Sequence, residues 1–382
     1  MGINGNLGDS FHIESHAALL RRPATAYVAL RTPDAIIVPT IRPHSLQTAA
    51  MLASEIDCTL VVLCSTPEQA RQASSTFGPA EGNVLVTYVP RSFDDILPLR
   101  LTFRHPQREN ARSCHIDIAR KRNVGILLAR LCGWRTIMYL DDDIRGVTAN
   151  AVSGATSLAA DSPVAGFRAV DFPDNSVVCH AHRLTGGQQD VFPGGSALVV
   201  DVDRYCSLFP PVYNEDWFFL FDAVQNGSVA VAGSLEQVEY QPFANPDRAA
   251  TEEFGDVIAE GLYRLIHEGA DLTDATIDYW KAVLQWRGRL IEDIAARPQL
   301  DEADPVTGGC ALMSLAAARQ RLVTISALDC VSFIRAWRVD RDAWREKLLG
   351  QPEVGGLADA AKFLGLHVQD RSSSGSTFRI GA

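Results

Sequence analysis

The sequence predicts an α/β protein in which a mostly parallel sheet is flanked by helices and followed by a C-terminal helical extension. Three observations predict it. Short runs of strand formers alternate with stretches of helical spacing between residues 35 and 140. The first two runs, AIIVP at 35–39 and TLVVLC at 59–64, are apolar but for Thr59, as parallel strands buried on both faces are. Past about residue 245 long helical stretches replace the strand signals.

Residues 1–33 read as a leader of uncertain structure. Strands are expected at 35–39, 59–64, 84–89 and 135–140, and helices at about 44–55, 68–76 and 116–132. In the last helix Val124, Leu127, Leu128 and Leu131 have the spacing of one face, and Gly133 suits its C-cap. The Gly-, Ser- and Ala-rich stretch 149–189 reads as loops, with a strand over 177–184 that would set His180 and His182 on one side. Those two histidines lack the second ligand pair a zinc site needs. A strand at 197–200 follows Phe192-Pro193-Gly194-Gly195-Ser196, where paired glycines make a turn or admit a close approach of the backbone. Asn214 reads as the N-cap of a helix through Trp217 and Phe218, with Glu215 and Asp216 at its positive end. Further helices are expected at 252–267, 273–296 and 311–349, broken by Gly269, Pro298 and a loop at 304–309, with Trp280, Trp286, Trp337 and Trp344 packed between them. The resulting organisation is a leader (1–33), an α/β unit (34–245), a helical region (246–370) and a tail (371–382) expected to be mobile.

Composition narrows the function. With 35 Lys and Arg against 46 Asp and Glu, the net charge is −11, which argues against nucleic acid as the principal partner. No apolar run approaches the roughly 20 residues that span a bilayer, and the polar first nine residues do not resemble a secretory signal. Eight cysteines without a C-x-x-C pair read as free thiols in a reducing compartment, so a cytoplasmic location is expected.

The chemistry is concentrated at Asp141-Asp142-Asp143, directly after the strand that ends at Leu140. If the extended geometry persists, Asp141 and Asp143 project to one side and Asp142 to the other. Two such carboxylates form a hard-oxygen site suited to Mg²⁺ or Mn²⁺ together with substrate phosphate oxygens. A solvated acidic turn or a helix cap is the plainer account of the same residues. Arg112, Arg120, Lys121 and Arg122 precede this strand, and cations there would help hold a diphosphate. Ligands on sheets of this kind gather beyond the carboxyl ends of strands, where both Pro39-Thr40 and the three aspartates fall.

The order Arg122-Asn123-x-Gly125, apolar helix, short strand and Leu140-Asp141-Asp142-Asp143 resembles the metal-binding region of glycosyltransferases of the GT-A fold, family 2 and its relatives. The resemblance extends back to Val38-Pro39-Thr40-Ile41-Arg42 and forward to Asn214-Glu215-Asp216-Trp217, covering about residues 35 to 245. The first strand and its turn are also similar to the reversibly glycosylated polypeptides, which act on UDP-arabinose. The resemblance implies a nucleoside-diphosphate sugar, UDP by default, whose nucleotide is bordered by Pro39, Thr40, Arg42, Arg122, Asn123 and Asp141. It further implies a metal ion on Asp143 assisted by Asp141, and Gly194 and Gly195 lining the sugar side. Asp216 would be the base toward an acceptor hydroxyl, inverting the anomeric centre, with Glu215 as the fallback; a retaining enzyme could instead use a later histidine as metal ligand, for which His267 is the candidate. One departure is Leu63-Cys64-Ser65-Thr66, where many family 2 enzymes carry an acidic pair for the base; Asp94 and Asp95 are the substitutes. A UDP-sugar mutase, a nucleotidyltransferase and a non-catalytic nucleotide-sugar-binding protein remain as alternatives, and the helical region could complete the acceptor pocket or form a homodimer. A nucleotidyltransferase should carry a Gly-rich loop after the first strand, which Pro39-Thr40-Ile41-Arg42-Pro43 is not.

Overall fold

The computed structural model describes residues 12–21, 31–77, 83–93, 114–170, 172 and 176–369. Arg112, Asp94, Asp95 and the tail at 371–382 lie outside them.

The first four strands stand where periodicity put them: β1 Ala35–Thr40, β2 Thr59–Cys64, β3 Val84–Tyr88 and β4 Thr136–Leu140. They are joined by helices α1 Gln47–Glu55, α2 Pro67–Thr76 and α3 Cys114–Cys132. β1 pairs in parallel with both β2 and β4, and β2 with β3. Side chains on β1 alternate between two cores, Ile36 and Val38 facing α1, and Ile37 facing α3 with Leu127 and Leu128. Gly125 lets α3 lie close on the sheet, since a Cβ there would come within 2.9 Å of Ile37 and of the Tyr139 hydroxyl.

The middle of the chain is more regular than its composition suggests. β5 Ile144–Arg145 is followed by α4 Ala149–Leu158 and β6 Val164–Val170, where loops were expected. Residues 177–184 form a helix, α5 Val177–Leu184, rather than a strand: the Ser176 hydroxyl caps it by accepting from the Cys179 N–H, and Val177, Val178 and Ala181 bury one helical face. β7 Ala197–Asp201, α6 Glu215–Gln225 and β8 Val229–Gln237 complete the α/β unit. The sheet order is β5-β8-β6-β7-β4-β1-β2-β3, closed at the far edge by β9 His367–Val368. β1, β2, β3, β4, β6 and β8 run one way, while β5, β7 and β9 oppose them, so the sheet is mostly parallel.

The helical region comprises α7 Pro246–His267, α8 Ile277–Ala295, α9 Gln299–Glu302, α10 Pro305–Leu322, α11 Ala327–Leu349 and α12 Leu357–Phe363. The single helix expected over 311–349 is two. Ser326 and Asp329 form a reciprocal capping box that starts α11, and α10 begins inside the expected loop because Asp304 caps it ahead of Pro305. Trp280, Trp337 and Trp344 are fully buried, as packing between helices requires, whereas Trp286 is half-buried with the Arg264 guanidinium 5.0 Å over its ring. Part of the leader is built into the molecule: Arg21 bridges in parallel to Ala230, and His16 is buried between Trp217 and Tyr263.

Candidate active site

β1 and β4 are neighbours, so their carboxyl ends bring Thr40-Ile41-Arg42 beside Asp141-Asp142-Asp143. The chain turns immediately after Leu140, the Ile144 N–H reaching the Asp141 carbonyl at 3.3 Å, and the strand alternation expected for the three aspartates therefore does not hold. Each carboxylate takes a direction of its own. Asp142 is the most buried; it accepts from the Thr40 hydroxyl, from the Arg42 backbone N–H at 3.2 Å and from Arg42 Nε at 2.9 Å. Arg42 Nη2 also reaches Asp143 at 2.9 Å. Asp141 is held by Arg122 Nη2, at 3.1 and 3.0 Å to its two oxygens. Arg42, expected to border a nucleotide, is engaged with two aspartates.

The antiparallel register of β7 decides what faces Asp141. Leu140 pairs with Ala197, and the Asp141 N–H continues the ladder to the Ser196 carbonyl at 2.8 Å. Gly194 and Gly195 thus arrive beside the aspartates from the opposite direction. A Cβ on Gly195 would overlap the Arg122 guanidinium, and one on Gly194 would lie 2.6 Å from Asp216 Oδ2. These glycines make room for the side chains of the site itself. The Gly195 N–H donates to Asp216 Oδ2 at 2.7 Å, and the Trp217 N–H donates to Asp216 Oδ1 at 2.9 Å, so the carboxylate is gripped on both oxygens.

Arg122 lies at the centre of the group, buried, with Glu215 on one Nη and Asp141 on the other, and the Phe209 ring 5.8 Å away. The Tyr139 hydroxyl donates to the Arg122 carbonyl and fixes that turn of α3. Burial pushes the Glu215 carboxyl up to about 8, Arg122 working against it and Asp216 adding to it. Asp141 is raised to about 7 by burial, again opposed by Arg122 and reinforced by Asp143 and Asp142. One guanidinium cannot balance three carboxylates in a desolvated site.

Other residues expected at the site sit differently. Pro39 is buried within β1, its Cα opposite Leu63. Asn123 is buried, and its amide is spent on the Phe209 backbone, donating to the carbonyl at 2.8 Å and accepting from the N–H at 3.0 Å. Asn214 stands at the N-cap position of α6 as expected, but with φ 61° and with no cap bond from its side chain. His180 and His182 turn to separate partners, Tyr240 Oη at 3.0 Å and Arg297 at 3.2 Å. His267 joins the leader, its Nε2 3.0 Å from His16 Nδ1.

Sequence reasoning missed the use made of Lys121. Fully buried under the site, its ammonium donates to the Thr40 carbonyl at 2.9 Å and the Ser65 hydroxyl at 2.7 Å, and pairs with Asp117 at 2.7 Å. It ties the ends of β1 and β2 to α3. The signal available was one lysine between two arginines, Arg120 and Arg122, just ahead of the apolar run of the helix.

The donor set suits a hard divalent cation in its chemistry. Asp141 and Asp143 keep 21% and 17% of their side-chain surface exposed against 4% for Asp142, so they are the more accessible two of the three. Mg²⁺ and Mn²⁺ sites commonly use one or two carboxylates, the remaining positions going to water and substrate phosphate. Among the described residues no group of three or more His, Cys, Asp or Glu side chains is arranged to hold a metal ion. No helix among them is long and apolar enough to cross a membrane.

No protein-family model matches this chain, and no curated protein matches it. Two solved structures are similar in part. One is the galactosyltransferase LgtC in complex with donor and acceptor sugar analogues, 11% identical over 52% of this chain and 72% of that one, with a TM-score of 0.28. The other is an active-site mutant of LgtC, 12% identical over the same shares, with a TM-score of 0.30.

Proposed function

We propose that the protein is a metal-dependent glycosyltransferase of the GT-A kind, moving a sugar from a nucleoside-diphosphate sugar to an acceptor hydroxyl. The observation that carries this reading is the meeting of Arg42, Arg122, Asp141, Asp143, Gly195 and Asp216 beyond the carboxyl ends of the central strands β1 and β4, from segments up to 174 residues apart; sheets of this kind gather ligands beyond such strand ends.

Asp143, with Asp141, would hold Mn²⁺ or Mg²⁺, and the ion when bound would supply positive charge to the departing diphosphate. The residues of the chain do the rest. Arg42, beside Asp143 and 42% exposed, is placed to meet a phosphate oxygen. Asp216 accepts the proton of the acceptor hydroxyl. The acceptor oxygen forms its bond to the anomeric carbon as the bond to the nucleoside diphosphate breaks, and configuration inverts. Glu215, buried against Arg122, orients that guanidinium and through it Asp141. UDP is the default nucleotide, and the seven cysteines found unpaired among the described residues favour a reducing, cytoplasmic setting.

The test is thermal denaturation with UDP, GDP, ADP, CDP or dTDP, with and without Mn²⁺, on the native chain and on Asp143→Ala. A ligand at 100 times its Kd adds about 2.7 kcal/mol of apparent stability. One nucleotide that stabilises only with the metal, an effect lost in the variant, supports the reading; no response to any nucleotide sinks it.

A further inference from the structure

Asn214 stands immediately ahead of Glu215 and Asp216 with φ 61° and ψ 34°. Among the described residues it and Asp57 are the two non-glycine residues of positive φ. Asparagine enters the left-handed region more readily than most L residues, yet the conformation still has to be held by its surroundings. Here the holding comes from the helical region. Asn214 Nδ2 donates to Asp256 Oδ1 on α7 at 3.0 Å. The other oxygen of Asp256 accepts from Arg287 Nη2 on α8 at 2.6 Å, and Arg287 forms a two-bond pair with Glu253, 2.8 Å on each arm. Glu253, Asp256 and Arg287 are all buried.

A second contact fixes the same turn. A Cβ at Gly255 would collide with the Tyr213 carbonyl oxygen, so the α7 backbone lies directly against the residue before Asn214. The orientation of Asp216 then follows from this turn, because one of its oxygens is bound by the next backbone N–H, that of Trp217.

We propose that Asp256, held by Arg287, is a positioning residue for Asp216: through the Asn214 amide it sets the left-handed turn that aims the carboxylate at the acceptor. The helical region thus acts on the reaction without touching substrate. This inference rests on the reading of Asp216 as the acceptor base. Arg287 with its two carboxylates is a costly group to bury, and a fixed geometry at the turn is what the group secures.

The experiment compares Asn214→Gly, Asp256→Ala, their double variant and Asp216→Asn. Glycine at 214 retains the left-handed backbone and deletes only the amide, so it tests the side-chain bond in a chain that folds. Three readouts are taken: kcat, the Kd for UDP in the presence of Mn²⁺, and hydrogen exchange of the Gly195 and Trp217 amides. Each single variant should lower kcat by about 100-fold, the scale of a 1 Å misplacement, while Kd stays within about twofold. The double variant should be no slower than Asp256→Ala alone, and the two amides should exchange about tenfold faster than in the native chain. Unchanged exchange, a kcat loss that merely tracks the unfolded fraction, or additive losses would overturn the proposal. Full activity in Asp216→Asn would overturn the base assignment instead, and the exchange rates would still decide whether the network holds the turn.

Discussion

A methyl group at position 195 would occupy the space of the Arg122 guanidinium, while the Gly195 N–H must stay within 2.7 Å of Asp216. The φ of Gly195 lies outside the left-handed region, so alanine is excluded there by the neighbouring arginine. Gly195→Ala should push Arg122 off Asp141 and Glu215. An overpacking cost of about 1–3 kcal/mol is expected, together with loss of transfer activity. Urea unfolding and initial-rate assays check the two effects separately, and a fully active, fully stable variant would refute the packing account. At this scale the sequence named the participants and missed their partners. Paired glycines before a strand are visible in any reading, but the arginine that needs the second of them lies 73 residues earlier in the chain.

At the scale of elements, α3 does more than cover the sheet. Its buried Lys121 collects the Thr40 carbonyl, the Ser65 hydroxyl and Asp117, and so ties the ends of β1 and β2 in the place where a nucleotide would lie. Lys121→Met would keep the aliphatic length and leave Asp117 without this cation. Asp117 keeps 24% of its side chain exposed and Arg120 at 3.4 Å, so the expected loss is about 1–3 kcal/mol, the cost of leaving the Thr40 carbonyl and the Ser65 hydroxyl without their buried donor. Chemical denaturation measures it; a change below about 1 kcal/mol would mean that water or Arg120 replaces the ammonium. Periodicity located α3 because its apolar face repeats every three to four residues. It could not locate α5, whose run of valines, histidines and a cysteine suits a strand equally well until the Ser176 cap is seen.

At the scale of the whole molecule, the larger of the two hydrophobic cores runs from Leu20 in the leader through α3 and α6 to Trp280, Trp337 and Leu366. The charged site is embedded in the edge of this core, and its ionisation is therefore coupled to global stability. Glu215 rises from an ordinary 4.5 to about 8 in the folded protein, burial being the main cause. The folded state then holds a proton that the unfolded state releases, so the contribution of this group is full below about pH 4.5 and fades as pH rises to about 8. Glu215→Gln, measured with a chelator present, should flatten the fall of Tm between about pH 5 and 8. A slope identical to that of the native chain would contradict the buried, proton-holding state of Glu215.

The sequence by itself determined the α/β class, the first four strands and the position of Asp141, Asp142 and Asp143 at the end of one of them. These follow from local periodicity and from breakers a few residues away, which a linear chain displays. Tertiary structure alone decided that the aspartates turn apart toward Arg42 and Arg122, that β7 runs backward to set Gly195 against Arg122, and that Asn214 answers to Asp256 instead of capping its own helix. Those outcomes depend on strand order, register and helix packing, which bring together groups 19 to 100 residues apart. No pattern within a segment encodes which distant charge will lie opposite it once both are buried.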